Sequence, residues 1–161
     1  MDTPDEYVHC DRDVMPSIMV VDSDRRVRTA LARLMKATRP QVAIVETADV
    51  STALVQARST LFDLVLVDMA LPDLVASCAL IRQLARNQHV VALSVSQDDA
   101  RHAMAAGALD FVEKTASSES FLQAVRATLV APLTFYEATK VVEPVSSPAQ
   151  FHSRATGVRR R

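Results

Sequence analysis

The amino-acid sequence predicts an α/β domain built on a doubly wound parallel sheet with helices on both faces. Two observations lead to this class. Short continuous runs of Val, Ile and Leu recur five times in the middle of the chain, as expected of strands that are buried on both faces. The segments between the runs are each long enough for one helix and two turns, which is the usual connection between parallel strands.

The five predicted strands are residues 18–21, 42–45, 64–67, 90–93 and 109–112. The fifth run has the weakest pattern, because Asp110 interrupts it. Right-handed crossovers between five such strand–helix units give a (βα)5 sheet. In the flavodoxin-like form of this sheet the strand order is 2-1-3-4-5, so the first and third strands are neighbours at the centre.

Apolar positions at helical spacing predict amphipathic helices between the strands. The first helix carries such a stripe at Val27, Ala30, Leu31, Leu34 and Met35, and the last helix carries one at Phe121, Leu122, Val125 and Leu129. Residue types that favour helix N-caps stand before the helical segments, namely Asp24, Asp49, Ser96 and Ser117. Pro132 is expected to end the last helix, because proline cannot continue it.

Composition excludes several classes of enzyme. The chain has only two glycines, so it cannot contain a Gly-rich phosphate loop, a dinucleotide fingerprint or a Gly-x-Ser-x-Gly nucleophile elbow. A net charge of −1 gives no overall attraction to nucleic acid or to an anionic membrane.

The two ends of the chain differ from its middle. Residues 1–13 hold five acidic residues and one arginine, whereas the C-terminal end is rich in proline and arginine. We therefore predict an acidic leader at 1–16, one domain at 17–131 and an irregular basic tail at 132–161. Cys10 and Cys78 make neither a disulfide framework nor a zinc site, and no apolar run is long enough to span a membrane. These features predict a cytoplasmic protein without a membrane partner.

Polar side chains stand where the predicted strands end. Asp22 and Asp24 follow the first strand, and Asp68 follows the third. Ser94 ends the fourth strand and Lys114 follows the fifth. Ligands of open α/β sheets bind beyond the carboxyl ends of the strands, so these residues are expected to line one crevice.

Converging carboxylates repel each other unless a cation lies between them, and Mg²⁺ accepts such oxygen ligands. A carboxylate can itself act as a nucleophile and form an aspartyl-phosphate. The Lys114 ammonium and the Ser94 hydroxyl are suitable partners for phosphoryl oxygens. The set of residues therefore predicts phosphoryl transfer to an aspartate.

Four segments resemble the motifs of the receiver domain of two-component response regulators. They are Ile-Met-Val-Val-Asp-Ser-Asp at 18–24, Asp-Met-Ala-Leu-Pro at 68–72, Ala-Leu-Ser at 92–94, and Ala-Gly-Ala at 106–108 leading to Asp-Phe-Val-Glu-Lys at 110–114. The resemblance spans about residues 17–131. The Lys-Thr-Ala-Ser segment at 114–117 is similar to the branch whose receivers usually precede a LuxR-type helix-turn-helix domain.

The resemblance implies a role for individual residues. Asp68 would be the phospho-acceptor, and Mg²⁺ would be held by Asp22, Asp68 and the main-chain carbonyl of Ala70. Ser94 would be the switch hydroxyl, Phe111 the aromatic residue that follows it, and Lys114 the partner of the phosphoryl group. The implied partner is a sensor histidine kinase or a phosphotransfer protein, with a homodimer as a further expectation. No enzymatic activity is implied beyond slow self-phosphorylation and autodephosphorylation.

The sequence also departs from the family pattern. Ser23 stands where the family usually has a second acid, and a hydroxyl is a far weaker ligand for Mg²⁺ than a carboxylate, so we expect a lowered affinity for the ion. Asp24 is a further candidate ligand. Ala76 replaces a usual glycine, and Thr115 replaces a usual proline, so we expect a trans bond between Lys114 and Thr115. The 30 residues that follow Ala131 are too few for the usual DNA-binding domain, so direct DNA binding is not expected.

Two alternatives stay open at this point. One is a pseudo-receiver, in which the same fold binds partners without being phosphorylated because Ser23 weakens the metal pocket. The other is a phosphatase of the haloacid-dehalogenase type, whose nucleophile would be Asp22 in the Asp22-Ser23-Asp24 motif, with Asp98-Asp99 as its late acidic pair. The position of Lys114 after these acids, rather than before them, argues against the phosphatase.

Overall fold

A computed structural model describes residues 15–130, so most of the predicted leader, Pro132 and the predicted tail lie outside the described residues. Five strands alternate with five helices: β1 (Ser17–Val21), α1 (Arg25–Thr38), β2 (Ala43–Thr47), α2 (Val50–Ser59), β3 (Leu64–Asp68), α3 (Leu74–Leu84), β4 (Val90–Ser94), α4 (Ala100–Ala106), β5 (Asp110–Glu113) and α5 (Ser118–Val130). A 3₁₀ turn, Gln97–Asp99, precedes α4.

The strands form one sheet in the order β2-β1-β3-β4-β5. Every neighbouring pair is parallel, so the carboxyl ends of all five strands lie at one edge. This arrangement confirms the predicted flavodoxin-like sheet. Among the residues that the structure describes, no helix has both the length and the apolar composition that a membrane span requires.

Burial follows the position of each strand in the sheet. All five residues of β3 and of β4 are buried, whereas the edge strands β2 and β5 are mostly half-buried or exposed. The fifth strand lies one residue later than predicted. Leu109 precedes it and is 42% exposed, and Asp110 begins it, because an edge strand needs only one fully buried face.

Two hydrophobic cores fill the two faces of the sheet. One core joins the sheet to α2, α3 and α4, and it contains the buried Cys78. The other core joins the sheet to α1 and α5 through Met35, Phe121 and Val125. The predicted stripe of α1 is wrong at Ala30, which is exposed, while Ala32 is buried.

Three of the four predicted N-cap residues cap an α-helix, and the fourth caps a 3₁₀ turn. The carboxylates of Asp24 and Asp49 accept main-chain N–H groups of the first turns of α1 and α2. Ser96 caps the 3₁₀ turn rather than α4 itself, and Ser117 Oγ accepts the N–H of Ser120 at 3.1 Å. The peptide bond between Lys114 and Thr115 is trans, as expected, since the cis bond in the described residues is Leu71–Pro72.

Gly107 ends α4 in a conformation that other residues avoid. Its φ is +106°, and a Cβ at this position would lie 3.1 Å from the Cβ of Ala85. Both the backbone conformation and the close approach of α3 therefore favour glycine.

We expect Gly107→Ala to lower the free energy of unfolding by about 1–2 kcal/mol, measured by urea denaturation. Adding Ala85→Gly to this variant removes the close Cβ contact, so it should recover the steric part of the loss and leave the part due to φ. A Gly107→Ala variant as stable as the wild type would contradict this account of the turn.

Candidate functional site

Three of the predicted site residues meet at the carboxyl edge of the sheet. Asp22 follows β1 and Asp68 ends β3, and because these strands are neighbours the two carboxylates lie in one crevice. Lys114 follows β5 and reaches across β4 into the same crevice. Its Nζ lies 2.7 Å from Oδ2 of Asp22 and 2.9 Å from Oδ1 of Asp68. Both carboxylates are buried, with Asp22 0% exposed and Asp68 4% exposed.

Opposing influences act on the pKa of Lys114. Burial is the largest single influence and lowers the pKa of the ammonium group, because water no longer solvates its charge. Hydrogen bonds and charges from Asp22 and Asp68 act in the opposite direction, and together they raise the pKa above its ordinary value. Lys114 is therefore a fixed positive charge between two negative ones.

The four carboxylate oxygens have different surroundings. Oδ1 of Asp22 accepts the N–H of Asp24 at 2.8 Å, and Oδ2 pairs with Lys114. Oδ1 of Asp68 pairs with Lys114 and also accepts the N–H of Ala70 at 3.3 Å. Oδ2 of Asp68 accepts no hydrogen bond from the described residues. This oxygen is the one that can attack an electrophile without first giving up a partner.

Two further residues, which the sequence analysis missed, hold the loops that carry the acids. Ser77 Oγ lies 2.9 Å from the carbonyl oxygen of Asp68 and accepts the N–H of Leu71 at 3.0 Å. Arg28 Nη1 donates to the carbonyl of Asp22 at 2.6 Å, and its Nε lies 3.5 Å from a carboxylate oxygen of Glu46. The signal available in the sequence for Ser77 was a single serine within the apolar run at 74–81, and the structure buries this serine completely.

Ser94 lies at the end of β4 with its hydroxyl already engaged. Its Oγ donates to Oδ2 of Asp99 at 2.5 Å and accepts the N–H of Ser96 at 3.1 Å. Its carbonyl accepts the N–H of Lys114 at 2.7 Å, which ties the lysine to the end of β4. Phe111 is half-buried on β5, in register with Ala92 of β4 and packed against the core that includes α4. The sequence placed Asp99 only in the phosphatase alternative, so its contact with Ser94 was not predicted.

The donor set can be compared with what Mg²⁺ requires. Mg²⁺ is usually held by one or two carboxylates and retains several waters, and the neighbouring carboxylates of Asp22 and Asp68 fit this pattern. Ser23 is exposed and offers only a hydroxyl, while the exposed Asp24 uses Oδ1 to cap α1. Within residues 15–130, no group of three or more His, Cys, Asp or Glu side chains converges on a metal position. The residues fit the ion with two carboxylates rather than three.

Comparison with known proteins gives a consistent result. The family model of the response regulator receiver domain matches residues 18–126. A solved two-component response regulator of the LuxR family from Aurantimonas sp. SI85-9A1 is 30% identical, with a TM-score of 0.65, and the match covers 71% of this chain and 85% of that chain. A receiver protein from Burkholderia phymatum is 27% identical, with a TM-score of 0.62 and coverage of 71% and 94%.

A response regulator from Thermotoga maritima is 24% identical, with a TM-score of 0.65, and the match covers 73% of this chain and all of that chain. At this identity the likeness shows the fold alone. No curated protein matches the chain.

The raised pKa of Lys114 leads to a prediction about alkaline pH. The folded protein holds this proton to higher pH than the unfolded chain, so the stabilisation is complete below the ordinary lysine pKa of about 10.4 and is lost as pH rises through the folded value. The wild type should therefore lose up to about 1.4 kcal/mol more unfolding free energy per pH unit above about pH 10 than Lys114→Met does.

Urea denaturation between neutral and alkaline pH measures this difference. The exposed lysine Lys36 provides the matched control, and Lys36→Met should keep the pH dependence of the wild type. Parallel curves for the wild type and Lys114→Met would show that the two ion pairs of Lys114 do not stabilise the folded protein.

Proposed function

Because the chain belongs to the response regulator receiver domain family, we propose that Asp68 accepts a phosphoryl group from a sensor histidine kinase or a phosphotransfer protein. The observation that carries this proposal is the contrast between the two buried acids. Oδ2 of Asp68 has no hydrogen-bond partner among the described residues, whereas both oxygens of Asp22 are engaged. Asp68 is therefore the better nucleophile, and Asp22 is the better fixed charge.

The proposed transfer proceeds by direct displacement. Oδ2 of Asp68 attacks the phosphorus of a phosphohistidine, and a P–O bond forms as the P–N bond breaks. The electron pair of the broken bond stays on the imidazole of the partner, which takes up a proton from solvent. Lys114 faces the phosphoryl oxygens as a point charge, because its Nζ already lies 2.9 Å from Asp68. The product is an aspartyl-phosphate.

Asp22, Asp68 and the main-chain carbonyl of Ala70 are the groups that would hold Mg²⁺. When bound, the ion supplies positive charge to the phosphoryl oxygens. Arg28 keeps the Asp22 carbonyl in place, and Ser77 does the same for the carbonyl of Asp68. Both loops are therefore held by side chains before any phosphoryl donor arrives.

The surface next to the site suits an acidic partner. Helix α1 begins three residues after Asp22 and contains five basic side chains and no acidic one, namely Arg25, Arg26, Arg28, Arg33 and Lys36. We expect the phosphoryl donor to present acidic residues around its phosphohistidine. Such charge complementarity raises the rate of association more than the final affinity.

A phosphorylation-independent binding module is the second candidate. Two observations favour it, since Ser23 offers no carboxylate and the Lys114 ammonium pairs with both remaining acids. The two candidates share the fold and differ in one measurable property, which is the formation of an aspartyl-phosphate.

Incubation with acetyl phosphate and Mg²⁺ tests the proposal directly. Intact-mass spectrometry should detect one acid-stable, base-labile phosphoryl adduct in the wild type, and Asp68→Asn should form none. Asp98→Asn is the matched control, because Asp98 is exposed and its carboxylate accepts no hydrogen bond from the described residues. An adduct that persists in Asp68→Asn but is lost in Asp22→Asn would instead support the phosphatase mechanism, and no adduct in the wild type would support the binding module.

A second prediction concerns the metal. Ser23→Asp places a third carboxylate beside Asp22, so we expect the affinity for Mg²⁺ to rise by about tenfold, equivalent to about 1.4 kcal/mol. Titration with Mg²⁺, followed by the NMR shifts of the amides around Asp22, measures this change. Thr60→Asp adds the same charge at the exposed C-terminal end of α2, and it should leave the affinity unchanged. Equal affinities in the wild type and Ser23→Asp would show that residue 23 does not face the ion.

A further inference from the structure

Asp99 is engaged in a way that its position in the chain does not require. It stands at the N-cap position of α4, where a carboxylate usually accepts a main-chain N–H of the first turn, but it makes no such capping bond. Its Oδ2 accepts the hydroxyl proton of Ser94 instead. The bond closes a small loop from the end of β4, through the 3₁₀ turn, to the start of α4.

This bond leaves Ser94 without a free proton. A serine hydroxyl donates one hydrogen bond, and Ser94 gives it to Asp99 while its oxygen accepts the N–H of Ser96. Ser94 is 3% exposed, so water is not a ready substitute for either partner. A phosphoryl group on Asp68 would need this same proton, because its oxygens only accept hydrogen bonds at neutral pH.

We propose that Asp99 is a positioning residue that competes with the phosphoryl group for the Ser94 hydroxyl, and that losing this competition releases the start of α4. The inference rests on the proposed phosphorylation of Asp68. In the unmodified protein, Asp99 holds Ser94 and ties β4 to α4. After phosphoryl transfer, the Ser94 hydroxyl turns to a phosphoryl oxygen and its hydrogen bond to Asp99 is broken.

The helix that would be released is weakly held. Helix α4 has only seven residues, and the two that it buries, Ala103 and Ala106, are small. Met104 on the same helix is 49% exposed. A helix with so little buried apolar surface can move at small cost in free energy, so a single hydrogen bond donated to the Asp99 carboxylate is enough to bias its position.

The hydrogen bond from Ser94 to Asp99 and the proposed one from Ser94 to the phosphoryl group are linked thermodynamically. If the bond to Asp99 opposes capture by the phosphoryl group, then removing Asp99 must favour that capture by the same factor. Asp99→Ala should also shift α4 towards its released position without any phosphoryl group. Asp99→Asn keeps an acceptor oxygen but loses the charge, so its effect should be intermediate.

Titration with beryllofluoride in the presence of Mg²⁺ tests this competition, since the complex imitates a phosphoryl group on a carboxylate. We expect the concentration for half-saturation to fall by about tenfold in Asp99→Ala and about threefold in Asp99→Asn, as expected from the loss of a charge-assisted hydrogen bond. The NMR shifts of the α4 amides in unmodified Asp99→Ala should lie close to those of the wild type with beryllofluoride. Thermal unfolding of each variant checks that it is folded.

Two controls separate competition for Ser94 from simple charge removal. Asp98→Asn removes an equal charge from the neighbouring residue and should change the half-saturation concentration by less than roughly twofold. In a Ser94→Ala background, Asp99→Ala should have no further effect, because there is no hydroxyl left to compete for. A double-mutant cycle then gives the coupling between the two residues.

The outcomes distinguish this inference from the function on which it rests. Acetyl phosphate labelling of the wild type at Asp68, together with unchanged beryllofluoride binding in Asp99→Ala, would overturn the role of Asp99 alone. An equal effect in Asp98→Asn, or one that persists in the Ser94→Ala background, would also overturn it. If neither reagent modifies Asp68 in any variant, the proposed function fails and the competition fails with it.

Discussion

The pairing of one ammonium group with two buried carboxylates is the constraint on which the rest of this structure depends. Asp22 and Asp68 are brought together because β1 and β3 are neighbours, and both carboxylates are largely shielded from the bulk water that would otherwise solvate their charges. Lys114, which follows the edge strand β5, offsets the cost of burying these two charges by pairing with both carboxylates. The hydrogen bond from its main-chain N–H to the carbonyl of Ser94 holds its backbone at the end of β4. A phosphoryl group entering this crevice adds negative charge next to a cation that is already in place.

The site therefore differs from a simple acidic pocket. The negative charge of its two carboxylates is only partly neutralised by the single ammonium group, and Ser23 adds no charge. A pocket of this kind has less attraction for a divalent cation than one with a third acid, but it also has less repulsion for a dianionic donor. In the proposed phosphoryl transfer, the balance between these effects would decide how strongly the reaction depends on the metal, and residue 23 is the position at which a third acid would change that balance.

Much of this arrangement could be predicted from the sequence. Continuous apolar runs identify strands buried on both faces, and the strand order then brings Asp22, Asp68 and Lys114 to one edge without any knowledge of side-chain positions. The contacts of Ser77, Arg28 and Asp99 could not be predicted in the same way. They are hydrogen bonds from side chains to loops or between loops, and their geometry depends on turn conformations that no periodic pattern encodes. The predicted bounds of the edge strand β5 were one residue too early for a related reason. A half-buried strand can include Asp110, and Leu109 before it is exposed.

Two groups of hydrogen bonds connect the crevice to the surrounding loops, and they have different consequences. The contacts of Ser77 and Arg28 are made to main-chain carbonyls, so they hold the loops in place whether or not Asp68 is modified. The contact between Ser94 and Asp99 is made by a hydroxyl proton that a phosphoryl group can also accept, so under the proposed competition it would change when Asp68 is modified. Only the second kind of contact can carry information out of the site, because a signal requires an element with two arrangements of similar free energy. The short helix α4, which follows Asp99 directly and buries only Ala103 and Ala106, is the element to which we assign these two arrangements.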